Sequence, residues 1–290
     1  MDFMSNQKKK GLTLAKKHNL TGWAFLLPAT LLIGWMSFYP MIRAFILSLQ
    51  TGMGVNLSFN GFANYARILK DPTFKQTLFN TFFYLIVQVP IMLVLALMFA
   101  SMLNNKDLRF KGLFRTCIFL PCATSLVSYA MIFRSLFAND GFINMVLRNL
   151  GMSWTAHAVI IIALVWRWTG YNMVFYLSGL QNIEYSVYEA AKIDGASPMQ
   201  SFFKITVPLL KPTILLTAIT STNGTLQLFD ESLNLTNGGP GKSTMTMSHY
   251  IYNISFKQSP NFGYAAAMSI LILIMVAILA ILQMKVGDER

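Results

Sequence analysis

Long uncharged apolar blocks alternate along this chain with short connectors that carry most of its charge. A helix needs roughly 20 mostly apolar residues to cross about 30 Å of hydrocarbon. Six segments qualify, at 21–48, 78–103, 114–137, 155–180, 210–235 and 262–284, the first uncharged from Leu20 to Ile42. Pro28, Pro40, Pro90 and Pro121 lie inside these runs or at their ends, which is tolerable because neighbouring helices can satisfy the freed backbone groups. The period-two alternation of a membrane β-barrel does not occur. The pattern predicts an all-α integral membrane protein with six transmembrane helices.

Composition supports a bilayer as solvent. The chain is 54% hydrophobic and 12% charged, with mean hydropathy +0.51, where a soluble domain carries about a quarter charged residues. A formal charge of +12 would suggest nucleic acid for a soluble module with a basic face. Here the lysines and arginines cluster between uncharged runs, so they set topology within membrane lipid instead. The arm holds Lys8, Lys9, Lys10, Lys16 and Lys17, and the loop after the second span holds Lys106, Arg109, Lys111 and Arg115. Both flanks are therefore expected in the cytoplasm. With six spans, the 181–209 loop and the tail with Lys285 and Arg290 join them, while 49–77, 138–154 and 236–261 face outwards.

The expected organisation is a basic cytoplasmic arm (1–20), a six-helix transmembrane domain (21–284) and a cytoplasmic tail (285–290) in the plasma membrane. The first apolar run is longer than the core of a cleaved signal peptide. Cys117 and Cys122 sit five residues apart in one apolar run, which suits neither a metal site nor a disulfide framework. Both are expected as small buried packing residues.

The stretch Gly238-Gly239-Pro240-Gly241-Lys242-Ser243-Thr244 ends like a phosphate-binding P-loop. That motif needs a glycine five residues before the final Gly-Lys-Ser, between a strand and a helix, and Thr236 occupies the place. The stretch also follows an apolar span on the outer side. It reads as a rigid turn leading into the amphipathic segment 245–256.

The 181–209 loop is amphipathic, which is unusual for a connector. Ile183, Val187, Ala190 or Ala191, and Ile193 recur at helical spacing. Gly195 stands where a left-handed helix stop would. Ser197-Pro198-Met199-Gln200 then supplies a cap, a proline at the first helical position and a capping-box glutamine. Ser186 and Glu189 also have capping-box spacing. Two short helices meeting at Gly195 are predicted, with small residues at Ala190, Ala191, Gly195 and Ala196 that would let a partner's backbone approach.

Within that loop, "EAAKIDGASPMQSFFKITVP" resembles the EAA motif of binding-protein-dependent ABC importer permeases, through Glu189-Ala190-Ala191, Gly195, Ile205 and Pro208. Val207 stands where leucine is usual. "DGA" at 194–196, "LTNGGPGKST", "LQLFDESLNLTNGGP" and "FGYAAAMS" resemble the maltose, lactose and multiple-sugar branch, and the likeness runs from about residue 20 to 284. It implies a permease subunit of an ATP-driven oligosaccharide importer, paired as a heterodimer with a second homologous permease. It further implies a cytoplasmic ATPase dimer, which would bind ATP and magnesium, and an extracytoplasmic sugar-binding protein. Glu189, Ala190, Ala191, Asp194, Gly195, Ala196, Ile205 and Pro208 would couple to the ATPase. No Walker motif is visible, and no cofactor is expected on this chain itself.

Sugars present apolar faces and hydroxyl rims, so a site for them wants aromatic platforms beside hydrogen-bonding side chains. The fourth span offers Trp166, Thr169, Tyr171 and Asn172. The fifth offers Ser221, Asn223, Thr225, Gln227 and Asp230, with Asn223, Gln227 and Asp230 or Glu231 on one helical face. A cation deep in a span needs a partner or a wet cavity, and Asp230 or Glu231 is the available counter-charge for Arg167. His18, His157 and His249 are scattered, so neither a metal site nor a catalytic centre is expected. A self-sufficient secondary transporter is the competing reading, but it should show repeats and midplane carboxylates.

Overall fold

The computed structural model describes residues 13–53, 56–105, 108–138, 140–149, 155–257 and 259–288. Lys8, Lys9, Lys10, Lys106 and Arg290 lie outside the described residues. Four helices are long and apolar enough to cross a membrane: α1 (Leu14–Ser48), α3 (Pro72–Asn104), α7 (Ala156–Gln181) and α13 (Phe262–Gly287). Two bent pairs complete the set if each counts as one span: α4 (Lys111–Ala123) with α5 (Leu126–Leu136), and α9 (Pro198–Leu209) with α10 (Lys211–Leu226). The smaller elements are a hairpin of β1 (Gln50–Met53) and β2 (Asn56–Phe59), with α2 (Ala63–Lys70), α6 (Phe142–Asn149), α8 (Tyr185–Ile193), α11 (Asp230–Asn234) and α12 (Met247–Tyr252). The protein is thus an all-α membrane fold with one two-stranded hairpin among the described residues.

The breaks are where the outcome departs from a reading of apolar length. The run 114–137 is not one rod, because α4 and α5 meet at 94°. Thr124 and Ser125 are extended there, and the Thr124 N–H and hydroxyl both donate to the Pro121 carbonyl, at 3.3 and 2.7 Å. That satisfies one of the last carbonyls of α4 within the chain. The fifth run also stops short of residue 235. After Leu226 the Gln227 N–H bonds back to Asn223, Phe229 leaves helical geometry, and α11 starts afresh at Asp230. Asn223, Gln227 and Asp230 therefore do not share one helical face.

α7 is the central rod, packed along α3 and touching α4 and α10. Two of these contacts are unusually close. At Gly170 a Cβ would lie 2.0 Å from the Ile118 carbonyl oxygen, so the α7 and α4 backbones meet there. Tyr176 and Thr217 hydroxyls, 2.7 Å apart and buried, join α7 to α10. By contrast α1 is exposed along most of its length and packs on α13 through its final turns, Tyr39–Ser48. Exposure of apolar helices is ordinary where the solvent is lipid. Cys117 corrects the expectation of burial: it is exposed, and Cys122 is half-buried.

The loop carrying Gly238–Thr244 is a built turn. Asn237 and Lys242 join Gly238 and Gly241 at positive φ. Thr244 Oγ1 donates to the Gly239 carbonyl at 2.8 Å, Ser232 Oγ donates to the Thr244 carbonyl at 3.0 Å, and Asn80 on α3 donates to Met245 O at 2.9 Å. His249 on α12 closes the knot, with Nδ1 2.9 Å from Ser232 Oγ and the ring buried. Burial first, and the nearby Lys257 second, push its imidazole down to about 4.

A histidine near 6.5 when unfolded and near 4 when folded is held neutral by the fold. Its stabilising share is fully present above pH 6.5 and is lost as pH falls through the interval to about 4. Roughly 3 kcal/mol of acid sensitivity belongs to this one side chain. Thermal unfolding in detergent at pH 7 and pH 4.5 should show a fall in Tm that shrinks in His249→Gln. An unchanged fall in the variant would contradict the assignment.

Candidate functional site

A cavity of about 510 Å³ opens between α3, α7, α10 and the Leu226–Asp230 break. Its floor is a polar cross-link between spans. Thr225 Oγ1 on α10 donates to Gln88 Oε1 on α3 at 3.2 Å, and Gln88 Nε2 points to Met92 Sδ at 3.1 Å. Asn172 on α7 is buried, donates to the Trp168 carbonyl at 3.0 Å and lies 3.6 Å from the same sulfur. Trp168 and Tyr171 meet edge to face, with ring centroids 5.8 Å apart, on the cavity wall. Aromatic edges beside amides and hydroxyls suit a ligand with both apolar faces and hydroxyl groups.

Of the side chains singled out in the sequence, Tyr171, Asn172, Ser221, Thr225, Gln227 and Asp230 line this cavity together. Trp166 lies off it, packed on Phe133 and Tyr129 with centroids 5.3 and 6.3 Å away. Thr169 is buried and donates to the Val165 carbonyl at 2.6 Å. Asn223 faces a second space of about 580 Å³ between α10, α12 and α13, which it shares with Gln227. Gln227 thus stands on the ridge between the two spaces, hydrogen-bonded to Asn223.

Gln88 and Trp168 line the cavity without having been singled out in the sequence, while Arg167 and Glu231 had been expected there only as a charge pair. Gln88 had a legible signal, as the single polar side chain between Tyr84 and Ser101 in an otherwise apolar run. Arg167 and Glu231 meet through a third residue rather than as a simple pair. The Arg167 guanidinium carbon sits 4.5 Å from the Tyr129 ring centroid, and the Tyr129 hydroxyl donates to Glu231 Oε1 at 2.9 Å. Arginine over an aromatic face is a favourable pairing that strengthens away from water. Asp230 is exposed.

At the far end of α7 the 181–209 segment folds as its local chemistry dictates. Gly195 takes φ +78, and the Ala196 N–H reaches back to the Ala191 carbonyl at 2.9 Å, the six-to-one bond of a left-handed helix stop. The Ser197–Gln200 capping box forms, with bonds of 2.8 and 3.3 Å. The Ser186–Glu189 box does not. α8 starts earlier, capped by an extended Glu184 whose carbonyl takes the Val187 N–H, and Ser186 Oγ donates to Glu184 Oε2 at 3.3 Å. Glu189, Ala190, Asp194, Gly195 and Pro208 are exposed, Ala196 and Ile205 half-buried and Ala191 buried. No atom comes within 4 Å of where a Gly195 Cβ would lie.

Helical spans around a polar cavity, with an amphipathic loop standing clear of them, define a membrane transport component. The model of the binding-protein-dependent transport system inner membrane component family matches residues 65–288. The chain is 50% identical to the lactose transport system permease protein of Rhizobium radiobacter, over 96% of this chain and 97% of that one. It is 34% identical to an arabinooligosaccharides transport system permease protein of Halalkalibacterium halodurans, over 88% and 85%. It also superposes on a chain of a bacterial alginate ABC transporter, solved in complex with an alginate pentasaccharide-bound periplasmic protein. That match has TM-score 0.79 and 21% identity, and covers 92% and 93% of the two chains. The chain belongs to the family of binding-protein-dependent transport system inner membrane components. It is a multi-pass permease subunit that works with a binding protein, and not itself an enzyme.

Proposed function

We propose that this chain is one permease of an ATP-driven importer of oligosaccharides, and that the cavity between α3, α7 and α10 is its share of the translocation path. The observation that carries the substrate class is the cavity wall, where Trp168 and Tyr171 stand beside Asn172, Gln88 and Thr225. The printed functions of the relatives at 50% and 34% identity, lactose and arabinooligosaccharide transport, support the same class.

The remaining parts follow from which surfaces are left uncovered. A second, homologous permease would cover the exposed α1 and the space beside Asn223 and Gln227. A separate ATPase dimer, holding ATP and magnesium, would receive the turn through exposed Glu189, Ala190, Asp194 and Gly195 and half-buried Ala196, with buried Ala191 packed beneath them and Ile205 and Pro208 setting the angle of the following helix. The basic flanks support a cytoplasmic position for that turn and both chain termini, and an extracytoplasmic sugar-binding protein would deliver substrate on the opposite face.

Purification of the tagged chain from its own membranes in mild detergent, with mass spectrometry of what accompanies it, tests the assembly. A second permease and a soluble ATPase are expected in constant proportion. The chain alone, or only with copies of itself, would contradict the proposal.

A further inference from the structure

Arg167 is the least explained residue in the fold. It is 9% exposed, it lines the cavity, and its Nε and Nη1 are buried with no hydrogen-bond partner. Its guanidinium carbon lies 4.5 Å from the Tyr129 ring centroid and 5.5 Å from that of Trp168. Buried donors without acceptors are costly, and each calls for something that supplies the acceptor.

We propose that Arg167 is a specificity-determining residue that donates a hydrogen bond to a hydroxyl oxygen of a neutral sugar unit; this rests on the import reading above. Nε and Nη1 face different edges of the guanidinium plane, so each needs an acceptor of its own. The wall argues for a neutral unit over an acidic one. Asp230 and Glu231 line the same space as Arg167, and Glu231 Oε1 is already oriented by Tyr129. One cation against two carboxyl groups leaves no surplus positive charge for a uronate, which would meet like charge across the cavity.

The test uses the assembled importer, with its second permease, ATPase and binding protein, in proteoliposomes. Lactose, arabinobiose, trehalose and digalacturonate are offered first. The neutral sugar carried fastest is then compared with its monodeoxy analogues in wild type, Arg167→Lys and Arg167→Met. Wild type should carry the parent faster than the analogue lacking the accepting hydroxyl, by on the order of tenfold or more. That ratio should fall towards one in Arg167→Met and lie between in Arg167→Lys, which keeps the charge without the planar set of donors.

The binding protein is common to all arms, so its own preference cancels when ratios are compared. A structural role for Arg167 would slow parent and analogue equally and leave the ratio unchanged, which would overturn the inference. If Arg167→Met does not assemble, the ratio in Arg167→Lys decides alone. Carriage of digalacturonate but none of the neutral sugars would overturn the charge argument. Carriage of none of the four would count against the import reading itself, and the inference would fall with it.

Discussion

Gly170→Ala should unfold or loosen the spans more than any other single methyl group added to α7. The new Cβ would stand 2.0 Å from the Ile118 carbonyl oxygen, 2.7 Å from its carbon and 2.9 Å from Phe119 Cα. All three are backbone atoms of α4, so no side chain can swing aside, and the two helices must separate by about an ångström or more to reach ordinary contact. Overpacking of this kind costs about 3 kcal/mol, which for a chain of this size is a fall in Tm of about 5 °C. The displacement falls beside Tyr171 and Asn172, so transport should drop with stability. Gly224→Ala is the matched control for Tm alone, because Gly224 also lines the cavity. It sits in α10 with nothing within 4 Å of its Cβ position, and alanine is the better helix former. Equal Tm values for wild type and Gly170→Ala would show that α4 and α7 do not meet as described.

Gly195→Trp should have the second largest effect, on coupling rather than on folding. The position needs φ +78, where a residue other than glycine costs about 1–2 kcal/mol. The space around it is open, so the indole would project from the turn between α8 and α9 into whatever docks there. The expected result is a chain that still purifies with its second permease, loses most of the ATPase and no longer transports. Gly195→Asn, which accepts a left-handed backbone and is far smaller, should keep most of both. Full retention of the ATPase by Gly195→Trp would remove the turn from the coupling contact.

How much of this was readable in advance depends on how local the cause is. The turn at 193–200 was legible because a left-handed stop and a capping box are each settled within a few residues, and both formed as expected. Apolar length gave the six runs, since the bilayer sets one length for all of them. Their interruptions were not legible. The 94° bend at Thr124 depends on a hydroxyl turning back to Pro121, and the end of α10 depends on where α12 can hold Leu228, whose carbonyl accepts from Thr246.

The polar positions of the fifth run divide between two sides of α10, Ser221 and Thr225 on one space and Asn223 on the other, and the helix stop moved Asp230 off the face of Asn223. Burial of Cys117 was misread because lipid-facing and protein-facing sides of an apolar helix look alike in composition. Arg167 illustrates the remaining gap. Its need for a partner was plain, but its neighbours Tyr129 and Glu231 come from α5 and α11, elements brought together only by the breaks.

The most direct test of the account is sugar accumulation by proteoliposomes containing this chain, its second permease and the ATPase, with the binding protein outside and ATP inside. Accumulation of a neutral oligosaccharide that requires ATP, the binding protein and this chain together is the predicted result. Equal accumulation without ATP, driven by an ion gradient alone, would contradict it and make the chain a secondary transporter.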